Sequence, residues 1–189
     1  MAKHVKIPQD RIGVLIGDGG ETMRRIESAA EVRLDIDSEN GAVAVEQVGD
    51  PVLGMQAADI VKAIGRGFTP DVALSLLDDE MRMFEAIDID RAARNDNDLR
   101  RKKGRLIGEN GRTRELMEDL TGADVVIYGS TMGIIGDSKE VDVVRSAAEM
   151  LLDGAPHGAV YSFLERKRTE ELKHRGMEFH ERPGGESGT

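Results

Sequence analysis

Residues 13–27 read GVLIGDGGETMRRIE and residues 104–118 read GRLIGENGRTRELME; superposing them at an offset of 91 decides how the chain is organised. Seven of the fifteen positions are identical: Gly13 and Gly104, Leu15 and Leu106, Ile16 and Ile107, Gly17 and Gly108, Gly20 and Gly111, Thr22 and Thr113, Glu27 and Glu118. Chance gives about one identity in such a window, so the pair is an internal repeat. G-x-x-G also occurs at Gly133 with Gly136 and at Gly185 with Gly188, but without the surrounding frame. The duplicated context, more than the glycines, carries the inference.

Outward from each loop the pattern continues in step. Met23, Ile26 and Ala30, and Leu116, Met117 and Leu120, stand at helical spacing after the loops. Two short β-rich runs follow each helix, Val32–Ile36 with Val43–Val48 and Val125–Tyr128 with Met132–Ile135. Asn40-Gly41 and Gly129-Ser130-Thr131 supply the turns between them. Both copies then reach Gly-Asp, and Asp50 and Asp137 or Ser138 are placed to cap helices over Pro51–Ile64 and Ser138–Leu152. With strands beginning near Val5 and Ala86, each copy is an α+β unit ordered strand, helix, glycine loop, helix, strand, strand, helix. We expect a first module over 1–66, a linker helix over 67–84 with its helical pattern from Pro70 to Met83, a second module over 85–155, a C-terminal helix over 156–182 and a disordered tail over 183–189.

Composition bounds the function classes. The chain has 189 residues, 39% hydrophobic and 33% charged, with 3% aromatics and no cysteine. That describes a folded, aliphatic-cored chain without disulfides or cysteine-ligated metal. No apolar run approaches the ~18 residues of a membrane span, and the N-terminus lacks a signal-peptide layout, so a cytoplasmic protein is expected. The net charge is -10, with 8 lysines against 18 arginines and 18 each of Asp and Glu. This acid-rich, lysine-poor balance suits a cytoplasm of very high salt, where the Debye length shrinks to about 3 Å at 1 M. His4, His157, His174 and His180 show no metal spacing, and Asp35 with Asp37 and Asp88 with Asp90 read as acid surface. We expect no metal and no cofactor. The chain has no G-x-x-x-x-G-K-[ST], Thr22 stands where a dinucleotide fingerprint needs its third glycine, and no acid–base constellation appears, so no catalytic residue is assigned.

A glycine loop opening a helix presents backbone N–H groups to an anion, and glycine permits a close approach. Type I KH modules share this arrangement: their loop clamps about four nucleotides while bases lie in an adjoining apolar groove. The second copy is the better candidate, since Arg100, Arg101, Lys102, Lys103, Arg105, Arg112 and Arg114 cluster about its loop. We assign RNA binding to Lys102, Lys103, Arg105, Ile107, Gly108, Glu109, Asn110, Gly111, Arg112, Arg114 and Val126, and more weakly to Ile16, Gly17, Asp18, Gly19, Gly20 and Arg24. For the first loop, a structural turn that binds no RNA stands as an equal reading.

The stretches KKGRLIGENGRTRELMEDLTGADVVIYGSTMGIIG and HGAVYSFLERKR resemble archaeal relatives of the Krr/Pno/Dim-type KH-domain factors of small-ribosomal-subunit maturation. The resemblance spans about residues 3–175. It implies two tandem type I KH modules that hold single-stranded small-subunit rRNA near its 3′ end. It also implies assistance to an endonuclease trimming that end and contact with the α subunit of initiation factor two. The chain departs from the pattern in having an acid in each loop and nine extra residues, Arg91–Leu99, before the second loop. A KH protein with another RNA target and a protein-interaction adaptor with degenerate KH modules are the alternatives.

Overall fold

The computed structural model describes residues 2–181, with side chains described through residue 177. The first copy folds as β1 (Ala2–Lys6), α1 (Gln9–Ile16), α2 (Glu21–Ala30), β2 (Val32–Asp37), β3 (Ala42–Gln47) and α3 (Pro51–Gly65). A short helix α4 (Pro70–Leu74) leads to the second copy: β4 (Met83–Asp88), α5 (Asp96–Ile107), α6 (Arg112–Thr121), β5 (Asp124–Tyr128), β6 (Thr131–Gly136) and α7 (Ser138–Leu152). Helix α8 (His157–Glu181) follows. Each copy has one antiparallel three-stranded sheet, ordered β1-β3-β2 and β4-β6-β5, so the last strand of each copy is central. The fold is the tandem α+β arrangement read from the repeat.

Alternation in the strands selects the buried face. In the first sheet Val5, Val32, Leu34, Val43 and Val45 meet Ile12, Leu15, Ile26, Ile60 and Ile64 of the helices. In the second, Val125, Met132 and Ile134 meet Leu106, Met117, Val141, Val144 and Leu151, joined by Val160 and Leu164 of α8. The caps are as expected, with Asp50 Oδ1 accepting from Val52 N–H at 2.8 Å and Asp137 Oδ1 from Glu140 N–H at 2.8 Å.

The sheets differ on their other faces. The first leaves that face open, whereas all six residues of β6 are buried. Phe84, Val126 and Ile135 of the second sheet turn away from their own helices and pack against Phe68, Ala73 and Leu76, which belong to the core of the first copy. Gly133 makes room: a Cβ there would lie 2.9 Å from the Phe68 ring. Phe68 and Phe84 meet edge to face, with ring centroids 6.3 Å apart. Arg11 anchors the crossing chain, donating to Ile64 O and Phe68 O at 2.8 Å each.

One expectation is corrected. The linker helix exists only as Pro70–Leu74 with one 3₁₀ turn over Ser75–Leu77, and from Met83 the chain is strand. The apolar residues of this segment form a plug between α3 and the second sheet, and the acidic run Asp78-Asp79-Glu80 turns the chain back into β4. The extra residues 91–99 form a 3₁₀ turn and lengthen the loop-bearing helix to 12 residues, against 8 in α1. Asn95 Oδ1 caps that helix by accepting from Asp98 N–H, while Asp98 Oδ2 accepts from Arg94 N–H. The tail expected over 183–189 lies outside the described residues.

Burial, a hydrogen bond with Asp137 and that residue's charge push the Glu140 carboxyl up to about 7. Its protonated form is favoured in the folded state, so this contribution is present below its unfolded pKa, about 4.3, and is lost as pH rises through 7. Glu140→Gln should therefore remove much of the stability loss between about pH 4.5 and 8, measured by urea unfolding across that range; an unaltered pH profile would contradict it. Phe68→Ala should lower the unfolding free energy by about 3–5 kcal/mol in the same assay, because it empties the space between the first copy's helices and the second sheet. A cost below 1 kcal/mol would show that the copies do not depend on this contact.

Candidate nucleic-acid interface

Each glycine loop is held by residues that the repeat itself marks. Gly17 and Gly108 have φ +73 and +76, and a Cβ on either would lie within 2.3 or 2.1 Å of the Oγ1 of Thr22 or Thr113. The repeated threonine fills the space beneath the loop and so demands the repeated glycine. Gly19 and Asn110 occupy equivalent left-handed positions, φ +58 and +53, which asparagine tolerates better than most residues. The repeated glutamate serves the edge strand: Glu27 Oε1 accepts from Leu34 N–H at 2.9 Å, and Glu118 Oε1 from Val125 N–H at 3.0 Å. Loop, second helix and edge strand are thus tied into one groove in both copies.

Gly13 and Gly104 differ from the loop glycines. Both are exposed in helices, neither has positive φ, and a Cβ on either would meet nothing within 4 Å. Interior helical glycine costs about 0.5–1 kcal/mol relative to alanine. No packing on the protein side accounts for glycine at either position.

The two loops diverge in charge. Around the first, Asp18 and Glu21 are exposed, Arg24 donates to the loop carbonyl of Gly19 at 2.8 Å, and Arg25 pairs with Asp71 at 2.9 Å. Around the second, Glu109 and Asn110 are exposed and Arg112 stands where the first copy has Glu21. No ion pair engages Arg112 among the described residues. One turn before Gly104 and Ile107, Arg100 and Lys103 share their side of α5 by i,i+4 spacing.

Other basic residues assigned from the sequence are occupied elsewhere. Arg105 donates through Nε to Leu151 O at 3.1 Å and through Nη2 to Ala155 O, closing the junction of α7 and α8. These carbonyls stand 87 positions beyond Ile64 and Phe68, the pair that Arg11 binds, so each copy closes its last helix with an arginine. Lys102 donates to Ala92 O and lies 3.7 Å from Asp98. Arg101 pairs with Asp98 at 2.7 Å, which together with the Arg94 N–H holds that carboxyl down at about 2. Arg114 pairs with Glu118 at 3.0 Å beside the edge strand. Val126 faces the inter-copy core; it is Val125 and Ile127 that turn toward the helices. Arg105 and Lys102 are thus engaged by backbone carbonyls and Val126 by the inter-copy core, for one physical reason: sequence proximity to the loop does not say which way a side chain points. The half-buried Lys103, Ile107, Gly108 and Gly111 and the exposed Glu109, Asn110 and Arg112 remain together at the groove, as do Ile16, Gly17, Asp18, Gly19 and Gly20 in the first copy.

Sequence reading missed Tyr161. Its hydroxyl lies 2.8 Å from the Oγ1 of the buried Thr113, so α8 braces the underside of the second loop. His157 reinforces the same helix through Arg105 O at 3.0 Å. Tyr161 is 48 residues from Thr113, and no periodicity links them. The acidic pairs resolve as turn formers: Asp37 Oδ1 accepts from Glu39 N–H at 2.9 Å, and Asp88 Oδ1 from Asp90 N–H at 3.0 Å. Among the described residues no group of His, Asp or Glu converges for a metal ion, and no helix is long and apolar enough to cross a membrane.

Comparison with known proteins agrees with this geometry. Residues 83–169 match a family model described as eukaryotic type KH-domain, KH-domain type I, and residues 3–52 match the KH domain model. The KH domain-containing protein MJ0443 of Methanocaldococcus jannaschii is 47% identical over 167 residues, covering 87% of this chain and 73% of that protein. The pre-rRNA-processing protein pno1 of Aspergillus fumigatus is 35% identical over 120 residues; the match covers 62% of this chain and 47% of the fungal protein, so the chain spans less than half of that relative. Among solved structures, a chain of the a/eIF2alpha-aDim2p-rRNA complex from Pyrococcus horikoshii superposes with a TM-score of 0.84 at 41% identity, over 90% of this chain and 95% of that one. With two KH domains in register with these relatives, the chain belongs to the Dim2/Pno1 family of KH-domain proteins.

Proposed function

We propose that the chain is a non-catalytic placement factor of small-subunit rRNA maturation. Its second KH groove holds single-stranded rRNA near the 3′ end and presents it to the endonuclease that trims that end. The observation that carries this reading is the braced second loop: Gly108–Gly111 opens α6 toward Arg112 and is backed by Thr113 and Tyr161. Backbone N–H groups at a helix start favour a phosphate. The solved aDim2p complex supports the choice of rRNA, and of the α subunit of initiation factor two as a protein partner.

The first copy takes the protein-facing role. Its loop carries Asp18 and Glu21, and Arg24 is folded onto Gly19 O, so a phosphate there would meet two carboxylates without a free guanidinium. The buried Val160 and Leu164 make the first half of α8 a part of the second module, which leaves only its later turns for a partner. The excess of 36 Asp+Glu over 26 Lys+Arg fits work in an archaeal cytoplasm at high salt. There, long-range attraction to phosphate is screened, and short-range contacts in the groove supply affinity and selectivity.

Gly104→Ala separates binding from folding. The variant should be as stable as the unaltered protein or up to about 1 kcal/mol more stable, because alanine favours the helix. It should nevertheless bind a single-stranded oligonucleotide from the rRNA 3′ end roughly tenfold more weakly, since a methyl group would stand in the path of the ligand. Arg112→Glu, which copies the first loop, should weaken binding at least as much and flatten its salt dependence. Fluorescence anisotropy of both variants against a scrambled RNA decides the matter. Unchanged affinity in both would transfer the assignment to a protein-interaction adaptor.

A further inference from the structure

A second basic surface lies away from both glycine loops. Between β1 and β4 is a cleft of about 260 Å³ lined by His4, Lys6, Lys62, Arg66, Phe84 and Ala86, among others. No carboxylate lines it, in a chain of net charge -10. Position at the sheet edge explains the lining: β1 is an edge strand, and its exposed His4 and Lys6, on either side of buried Val5, border the cleft. Lys62 and Arg66 come from the end of α3. The sole ion pair engaging these four among the described residues is Lys62 with Asp59, at 3.9 Å. Phe84 forms part of the wall; its ring is half-buried and braced edge to face by Phe68. The chain has four phenylalanines and two tyrosines in all, so a partly open ring among four basic groups is distinctive.

We infer that this cleft is a second RNA contact, in which Lys6, Lys62 and Arg66 hold backbone phosphates of a single-stranded segment and Phe84 offers its ring to a base. Basic side chains tracking phosphates beside an aromatic platform are how single strands are bound without sequence readout. The inference rests on the RNA-binding reading given above and extends it to a surface that the glycine loops do not reach. In the second sheet β4 is the edge opposite β5, so cleft and groove lie on opposite sides of three strands, about 10 Å from edge to edge. A tetranucleotide filling the groove, about four residues long, therefore leaves the cleft empty, whereas a longer strand engages both.

The test compares the unaltered protein with Lys6→Gln/Arg66→Gln, two exposed positions whose thermal unfolding should not change. Anisotropy is measured over a salt series with a tetranucleotide and with an RNA of about 12 nucleotides, within the range of single-strand site sizes. For the longer RNA the slope of log affinity against log salt should fall by about 1.4, the value for two lost phosphate contacts on a single strand. The tetranucleotide should bind both proteins alike. An unchanged slope for the longer RNA would overturn the cleft while leaving the groove assignment intact. Failure of the unaltered protein to bind either RNA would overturn the RNA reading and the cleft with it.

Discussion

The contact on which this structure turns is the burial of Phe68 between the helices of the first copy and the outer face of the second sheet. A three-stranded sheet with helices on one face leaves its other face to water, and the first copy does so. The second copy cannot, because Phe84, Val126 and Ile135 are apolar on that side and need a cover. The chain leaving α3 supplies it, with Arg11 holding the Phe68 carbonyl and Gly133 providing the clearance. From this contact follow the fixed relation of the two modules, the depth of β6, and the cleft left open where β1 and β4 approach each other.

Within each module the repeat preserves a small mechanical set. Threonine props the glycine loop and glutamate pins the edge strand, while the arginines that close the last helices, Arg11 and Arg105, come from positions that do not match at the offset of 91. The threonine and glutamate identities concern geometry, and they persist in both copies although charge does not. On that common frame the copies have specialised. The first surrounds its loop with Asp18 and Glu21 and spends Arg24 on Gly19 O. The second adds Arg112, lengthens α5 and gains Tyr161 as a brace from outside the repeat.

An acidic protein that binds RNA presents a physical tension, which local arrangement resolves. Four of the seven basic residues near the second loop satisfy internal carboxylates and carbonyls, so a tally of charge along the sequence overstates the field at the loop. What remains there is short in range: backbone N–H groups, Arg112 with Arg100 and Lys103, and the bare helix surface at Gly104. Such contacts survive salt better than a diffuse positive patch, because they act within a Debye length.

The sequence by itself determined the duplication, the order of elements in each copy, the helix caps and the two loops, because each rests on local spacing, turn chemistry or identity at a fixed offset. It also singled out Thr113 and Glu118 through the repeat, without revealing what they hold. Only the tertiary structure decided that Val126 faces the neighbouring module, that Arg105 and Lys102 point inward, and that the segment 67–82 is a plug in place of a long helix. The same holds for Tyr161 beneath a loop 48 residues before it and for the gathering of His4, Lys6, Lys62 and Arg66. The reason is common to all of these. Periodicity tells which residues share a face, but which face finds a partner depends on contacts between segments distant in the chain, and no local pattern encodes them.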